Sequence, residues 1–151
     1  MRLNRDFQEL LECFARRGVR YLVVGGWALA AHGIPRLTKD LDVWVWPDPG
    51  NAERVTEALD DFGFSDVGLV PRDFLAEDVV IQLGYPPNRV DLLTTPTGVD
   101  FDSCWSERLD VPLDGLVVPF IGLEGLKANK RATGRPQDLV DLAALESAPR
   151  D

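Results

Sequence analysis

One histidine, one methionine and two cysteines in 151 residues leave this chain short of several kinds of chemistry. Cys13 and Cys104 lie far apart in no metal-like spacing, which excludes a disulfide framework and reads as two reduced thiols of a cytoplasmic protein. Imidazole catalysis would rest on His32 alone, and its place near the end of a short helix suits it to satisfying carbonyls instead. Long apolar runs are missing too. The longest weakly polar stretch, residues 21–33, is too short for a bilayer and holds two glycines and a histidine, so no membrane partner is expected. The opening MRLNRDFQELLECF lacks the apolar core and cleavage site of a signal peptide. Repeats, low-complexity segments and linkers are absent as well.

What is there is ordinary for a soluble globular protein: 45% hydrophobic and 27% charged residues. The length suits one domain, residues 1–151, able to bury a core without metals or disulfides. A net charge of −9 argues against broad nucleic-acid binding, which depends on neutralising phosphates. Yet KANKRATGR, residues 127–135, carries Lys127, Lys130, Arg131 and Arg135 with no acid among them. Such a segment suits a bound polyanion such as a triphosphate, or simply a solvated helix end.

Asn4 can cap a first helix whose Phe7, Leu10, Leu11 and Phe14 repeat at helical spacing and which stops at Gly18. A buried strand over residues 20–24 then turns on Gly25-Gly26 into a short helix, residues 27–32. A strand over 41–46 and an amphipathic helix over 51–62 follow. Residues 79–83 and 89–93 suggest a hairpin around Tyr85-Pro86-Pro87-Asn88, and residues 101–108 a short helix. A strand over 116–121 leads to two final helices, about 123–132 and 136–146, so that the C-terminal part, about 122–148, is helical. The fold class expected is mixed α+β, one mixed sheet flanked by helices.

The chemistry gathers in VVGGWALAAHGIPRLTKDLDVWV, residues 23–45. Strand alternation puts Asp40, Asp42, Trp44 and Trp46 on one face, with the two carboxylates about 7 Å apart along the strand. Desolvated and ionised, they would repel, and a divalent cation between them removes that cost; Mg²⁺ favours carboxylate oxygens combined with substrate phosphates. A strand that turns on two glycines into a helix presents bare N–H groups to phosphate. Asp91, in the later NRVDLLT, would complete a three-aspartate cluster if its strand lies beside residues 41–46, enough for two-metal phosphoryl chemistry. Trp44 and Trp46 could flank a nucleobase, with packing beneath covering helices the favoured role. A dinucleotide-binding fold is excluded, because Gly25, Gly26 and Gly33 do not supply its glycine spacing.

GGWALAAHG, RLTKDLDVWV and RVDLL, in that order, resemble the nucleotidyltransferase superfamily of DNA polymerase β. The ending LKANKRATGRPQDLVDLAALE is similar to small bacterial nucleotidyltransferases akin to the abortive-infection toxins of toxin–antitoxin systems. The resemblance spans roughly Tyr21 to Leu145. It implies transfer of a nucleoside monophosphate from an NTP such as ATP to an acceptor, with Mg²⁺ or Mn²⁺ as cofactor. By position it makes Gly25 and Gly26 phosphate-binding, and Asp40, Asp42 and Asp91 metal ligands, with Asp91 also able to take the acceptor's proton. It further implies roles for Lys130 and Asp138, ahead of Lys127 and Asp141, and phosphate or loop-bracing contacts for Arg36 and Thr38. Gly-Gly stands where antibiotic-modifying and antitoxin-type members carry Gly-Ser, and the acceptor-binding helical region of larger toxins is missing. The acceptor is left open among an RNA end such as tRNA, a protein and a small-molecule hydroxyl, as are a partner chain and a homodimer. The other reading is a catalytically weak nucleotide- or partner-binding component of a toxin–antitoxin pair.

Overall fold

The computed structural model describes residues 2–36 and 40–147. Helix α1 (Arg5–Arg17) begins where the Asn4 side chain accepts a hydrogen bond from the Phe7 N–H, and ends at Gly18 with φ near 69°. A cap of this kind stabilises a helix by about 1 kcal/mol. Strand β1 (Tyr21–Val24) follows, buried throughout. It runs directly into helix α2 (Gly25–Ala31), which starts two residues earlier than the sequence pattern suggests. Strand β2 (Leu41–Val45) and helix α3 (Pro49–Phe62, capped by Asp48) come next. The hairpin is present as β3 (Val80–Leu83) and β4 (Val90–Leu93), after two single turns of 3₁₀ helix at Ser65–Val67 and Pro71–Phe74. Helix α4 (Phe101–Ser106), strands β5 (Leu109–Leu113) and β6 (Leu116–Phe120), and helices α5 (Leu123–Thr133) and α6 (Pro136–Ser147) complete the order.

The six strands form one mixed sheet in the order β3-β4-β2-β1-β6-β5. β1 and β2 pair antiparallel, with Val24 opposite Asp42, whereas β4 lies parallel to β2 on its other side. The parallel pairing is what sequence reasoning could only make conditional, since it depends on a long crossover and not on a local turn.

β5 goes beyond the sequence reading. Its Pro112 and its mostly exposed side chains hide the strand, and such a proline is tolerated because β5 is the last strand of the sheet. The readable signal is the two-residue turn Asp114-Gly115, both with positive φ, which joins β5 to β6 as a hairpin.

The core is built from α1 residues Phe7, Leu10, Leu11 and Phe14, from the central strands, and from Ala52, Val55, Ala58 and Leu59 of α3. Trp27 meets Phe7 edge-on at 6.2 Å, packing α2 against α1. One buried polar residue locks the strand ends. Asn51 accepts from the Arg20 N–H and donates to the carbonyls of Arg20 and Trp46. Its amide thus joins the start of β1 to the end of β2, at the far end from Asp42. Among the described residues, no helix is long and apolar enough to cross a membrane.

Candidate active site

Asp42 sits in the middle of the sheet because its strand is central, and register gives it two neighbours. Val24, the last residue of β1, is opposite it on one side and Asp91 of β4 on the other. Gly25 follows Val24 with φ near 69°, and a Cβ added there would overlap the Asp42 carboxylate. The glycine is needed twice over, for its backbone angle and for the space its missing side chain leaves. Val24 makes no side-chain capping hydrogen bond to α2, and Gly26 lies half-buried in its first turn.

The carboxylates are not left to themselves. Arg89, on the residue before β4, places one guanidinium nitrogen, Nη2, 2.7 Å from Asp40 Oδ2 and 3.3 Å from Asp91 Oδ2. Its Nε is 3.1 Å from Asp91 Oδ1, but the atoms are misaligned, so Asp40 Oδ1, Asp91 Oδ1 and Arg89 Nε are all buried without a hydrogen bond. The Asp42 carboxyl is pushed up to about 7, first by burial, then by the charges of Asp91 and Asp40 and a hydrogen bond with Asp91; Arg89 only partly offsets this. Sequence reasoning missed Arg89. The signal was available, since strand alternation puts residues 89 and 91 on one face.

The donor chemistry suits a hard divalent cation: three carboxylates at one place, two with orphaned buried oxygens and one strongly biased toward its proton. As they stand, however, the side chains do not form a ready cage. Among the described residues, no group of three or more His, Cys, Asp or Glu is arranged to hold a metal ion.

A second polar cluster lies between α5 and α6. Lys130 Nζ is 3.1 Å from Asp141 Oδ2 and 3.5 Å from Asp138 Oδ1. Asp141 also takes a close ion pair from Arg36 and a 2.9 Å hydrogen bond from Gln137. Asp138 accepts from the Arg135 backbone N–H at 3.2 Å and from its guanidinium at 2.7 Å. Both carboxylates are almost wholly buried. The Arg135 guanidinium is the largest cause holding Asp138 well below the ordinary carboxylate range. For Asp141 burial acts upward, but the hydrogen bonds from Arg36, Gln137 and Lys130 outweigh it and the net shift is downward.

The structure brings Lys130 and Asp138 together, with Asp141 as the nearer lysine partner. Arg36 joins this cluster through its ion pair with Asp141. Thr38 lies outside the described residues. The basic run is largely answered from within its own helices: Lys127 is 3.8 Å from Glu124, and Arg131 is 3.3 Å from Glu146. Helix α5 is also docked to the loop after β4. Asn129 donates to the Thr97 carbonyl at 2.8 Å, and a Cβ at Gly98 would collide with Ala132.

The aromatic residues near the carboxylates serve packing. Trp44 is buried, meets Phe101 of α4 edge-on, and donates its indole N–H to the Thr94 carbonyl at 2.9 Å. Trp46 stacks on Phe101, which stacks in turn on Trp105, with the Arg20 guanidinium over both tryptophan rings. His32 ends α2 with Nε2 2.8 Å from the Ile121 carbonyl oxygen.

No family profile matches the chain, and no curated protein does. Among solved structures, TM1012 of Thermotoga maritima, a nucleotidyltransferase by assignment, superposes with a TM-score of 0.59 at 16% identity. That match covers 92% of this chain and 89% of the other. The lincosamide antibiotic adenylyltransferase LnuA, in its lincomycin-bound structure, superposes with a TM-score of 0.55 at 14% identity, covering 97% and 98%. The fold is thus that of the nucleotidyltransferases, a mixed α+β sheet with flanking helices.

Proposed function

We propose that the protein transfers a nucleoside monophosphate from an NTP to an acceptor oxygen and releases pyrophosphate. The observation that carries the reading is the juxtaposition of Asp42 and Asp91 on neighbouring strands, directly against the Gly25 turn. Asp40, Asp42 and Asp91 would hold Mg²⁺ or Mn²⁺. The bound ion would supply Lewis-acid stabilisation of the charge that grows on the triphosphate.

The remaining work belongs to the chain. Gly25 and Gly26 leave the first turn of α2 open to phosphate oxygens. Asp91 takes the proton of the acceptor hydroxyl as the new phosphorus–oxygen bond forms and the bond to pyrophosphate breaks. Lys130 and Asp138 act in the α5–α6 cluster, where Lys130, Arg36 and Arg135 outnumber Asp138 and Asp141, leaving a positive excess suited to a polyanion. Thr38, outside the described residues, is proposed from the resemblance alone to contact phosphate or brace the loop.

The acceptor belongs to one of three classes: an RNA end, a protein or a small-molecule hydroxyl. The net charge of −9 disfavours a large RNA footprint. The likeness to LnuA over nearly the whole of both chains favours the small molecule, whereas the Gly-Gly turn counts against an antibiotic. The second reading, a catalytically weak nucleotide- or partner-binding component of a toxin–antitoxin pair, is favoured by one observation, the Arg89 guanidinium lodged between Asp40 and Asp91.

The test is incubation with Mg²⁺ and each α-labelled NTP, with RNA, protein and small-molecule fractions of a bacterial lysate as acceptors. Label should enter one fraction and fall by at least about 100-fold in Asp42→Ala. Mg²⁺-dependent NTP binding without any transfer would favour the second reading in its nucleotide-binding form, and no such binding would sink the enzymatic reading.

A further inference from the structure

The sheet brings three carboxylates together, but a side chain of the protein already sits among them. Arg89 Nη2 serves two partners at once, Asp40 at 2.7 Å and Asp91 at 3.3 Å. Its Nε lies 3.1 Å from Asp91 Oδ1 without the alignment of a hydrogen bond. Asp91 is 8% exposed, and that oxygen is fully covered and unpartnered. A guanidinium is planar and offers its donors in a fixed fork, so it cannot saturate carboxylate oxygens converging from two strands. A spherical cation has no such restriction. Arg89 also has somewhere to go, because its side chain keeps 30% of its exposure.

We propose that Arg89 is the resident cation of the carboxylate cluster and a built-in competitor for the divalent ion. The inference rests on the nucleotidyl-transfer reading above. Displacing Arg89 costs its ion pairs with Asp40 and Asp91, so free Mg²⁺ or Mn²⁺ binds weakly. An ion arriving with a triphosphate brings acceptor oxygens for the released guanidinium, which pairs well with phosphate in a bidentate manner. The cluster then opens to the metal–nucleotide complex and stays closed to the metal alone. Arg89 is in this sense a specificity-determining residue for the form in which the metal is taken up.

The experiment titrates Mn²⁺ alone, by calorimetry and by shift of the melting temperature, into the full chain, R89Q, R89K and D42N. Removing the competitor should tighten Mn²⁺ binding in R89Q by about tenfold or more. Its metal-free melting temperature should fall, and Mn²⁺ should restore it by more than it raises that of the wild type. R89K keeps the charge without the fork and should bind Mn²⁺ with intermediate affinity, which also serves if R89Q does not fold without metal. Unchanged or weaker Mn²⁺ affinity in folded R89Q or R89K, with D42N abolishing wild-type binding, would overturn the competitor role and leave the metal site standing. Failure of wild type, R89Q and R89K alike to bind Mn²⁺ would remove the metal site itself, and the proposal with it.

Discussion

Two clusters of buried and half-buried acids are in opposite electrostatic condition. Between α5 and α6, Asp138 and Asp141 are matched by Lys130, Arg36, Arg135 and Gln137, and both carboxyls are held below their ordinary range. At the start of β2 and on β4, Asp40, Asp42 and Asp91 face a single guanidinium, with Asp40 just before the strand, and Asp42 is pushed up to about 7. In the first, each carboxylate has its counter-charges within the chain. The second lacks positive charge, which is the condition expected where a ligand is meant to supply it.

Breaking the satisfied cluster should have the largest effect on stability. Asp138→Asn takes a buried carboxylate away from the Arg135 guanidinium and leaves Lys130 with Asp141 alone, and should cost about 3 kcal/mol in denaturant melts at pH 7. The same substitution should matter less as pH falls. A carboxyl whose folded pKa is depressed contributes fully above its unfolded value, near 3.9, and loses that contribution as the medium becomes more acidic.

Gly25→Ala should cost about 2 kcal/mol, from a positive φ and an overlap with Asp42. In an Asp42→Ala background the overlap disappears, so the cost should drop by at least about half, a coupling that double-mutant melts would read directly. Full additivity would mean that the glycine is needed for its backbone angle alone.

The smallest stability effect should have the opposite sign. Asp42→Asn removes a charge that is costly when unmatched, and should stabilise the metal-free protein by about 1–2 kcal/mol at pH 8. The sign follows from proton linkage. With a folded pKa near 7 and an unfolded one near 3.9, the folded state holds the extra proton between them, so stability falls as pH rises through that window. Metal-free wild type should show this decline between about pH 4 and 7, and D42N should flatten it. An equal slope in both proteins would contradict the frustrated state of Asp42.

Much of this contrast was legible in the sequence, for identifiable reasons. Asn4 and Gly18 bracket α1 because caps are local chemistry, and Asp40 and Asp42 stand out because acids are rare in a strand of such apolar neighbours. Asp91 was legible as a strand residue, but its place beside Asp42 depended on a parallel pairing no local signal encodes. Pro112 concealed β5 although Asp114-Gly115 announced its hairpin. Arg89 shares a face with Asp91 by strand alternation, but only the pairing of β4 with β2 brings it to Asp40. Asp141 ranks behind Asp138 on the resemblance alone, and only the packing of α5 on α6 shows that Lys130 is nearer to Asp141.

The amide of Asn51 has a consequence for folding fidelity. Strand side chains alternate with a period of two, so sliding β1 against β2 by two residues would keep each strand's faces oriented as they are. That slide would carry Val24 away from Asp42 and Gly25 away from the one carboxylate it is shaped to admit. Asn51 makes the misaligned pairing costly, because it bonds Arg20 and Trp46 together and would be left buried with unmet donors and acceptors. A proofreading residue at one end of the strand pair thus guards an alignment needed at the other.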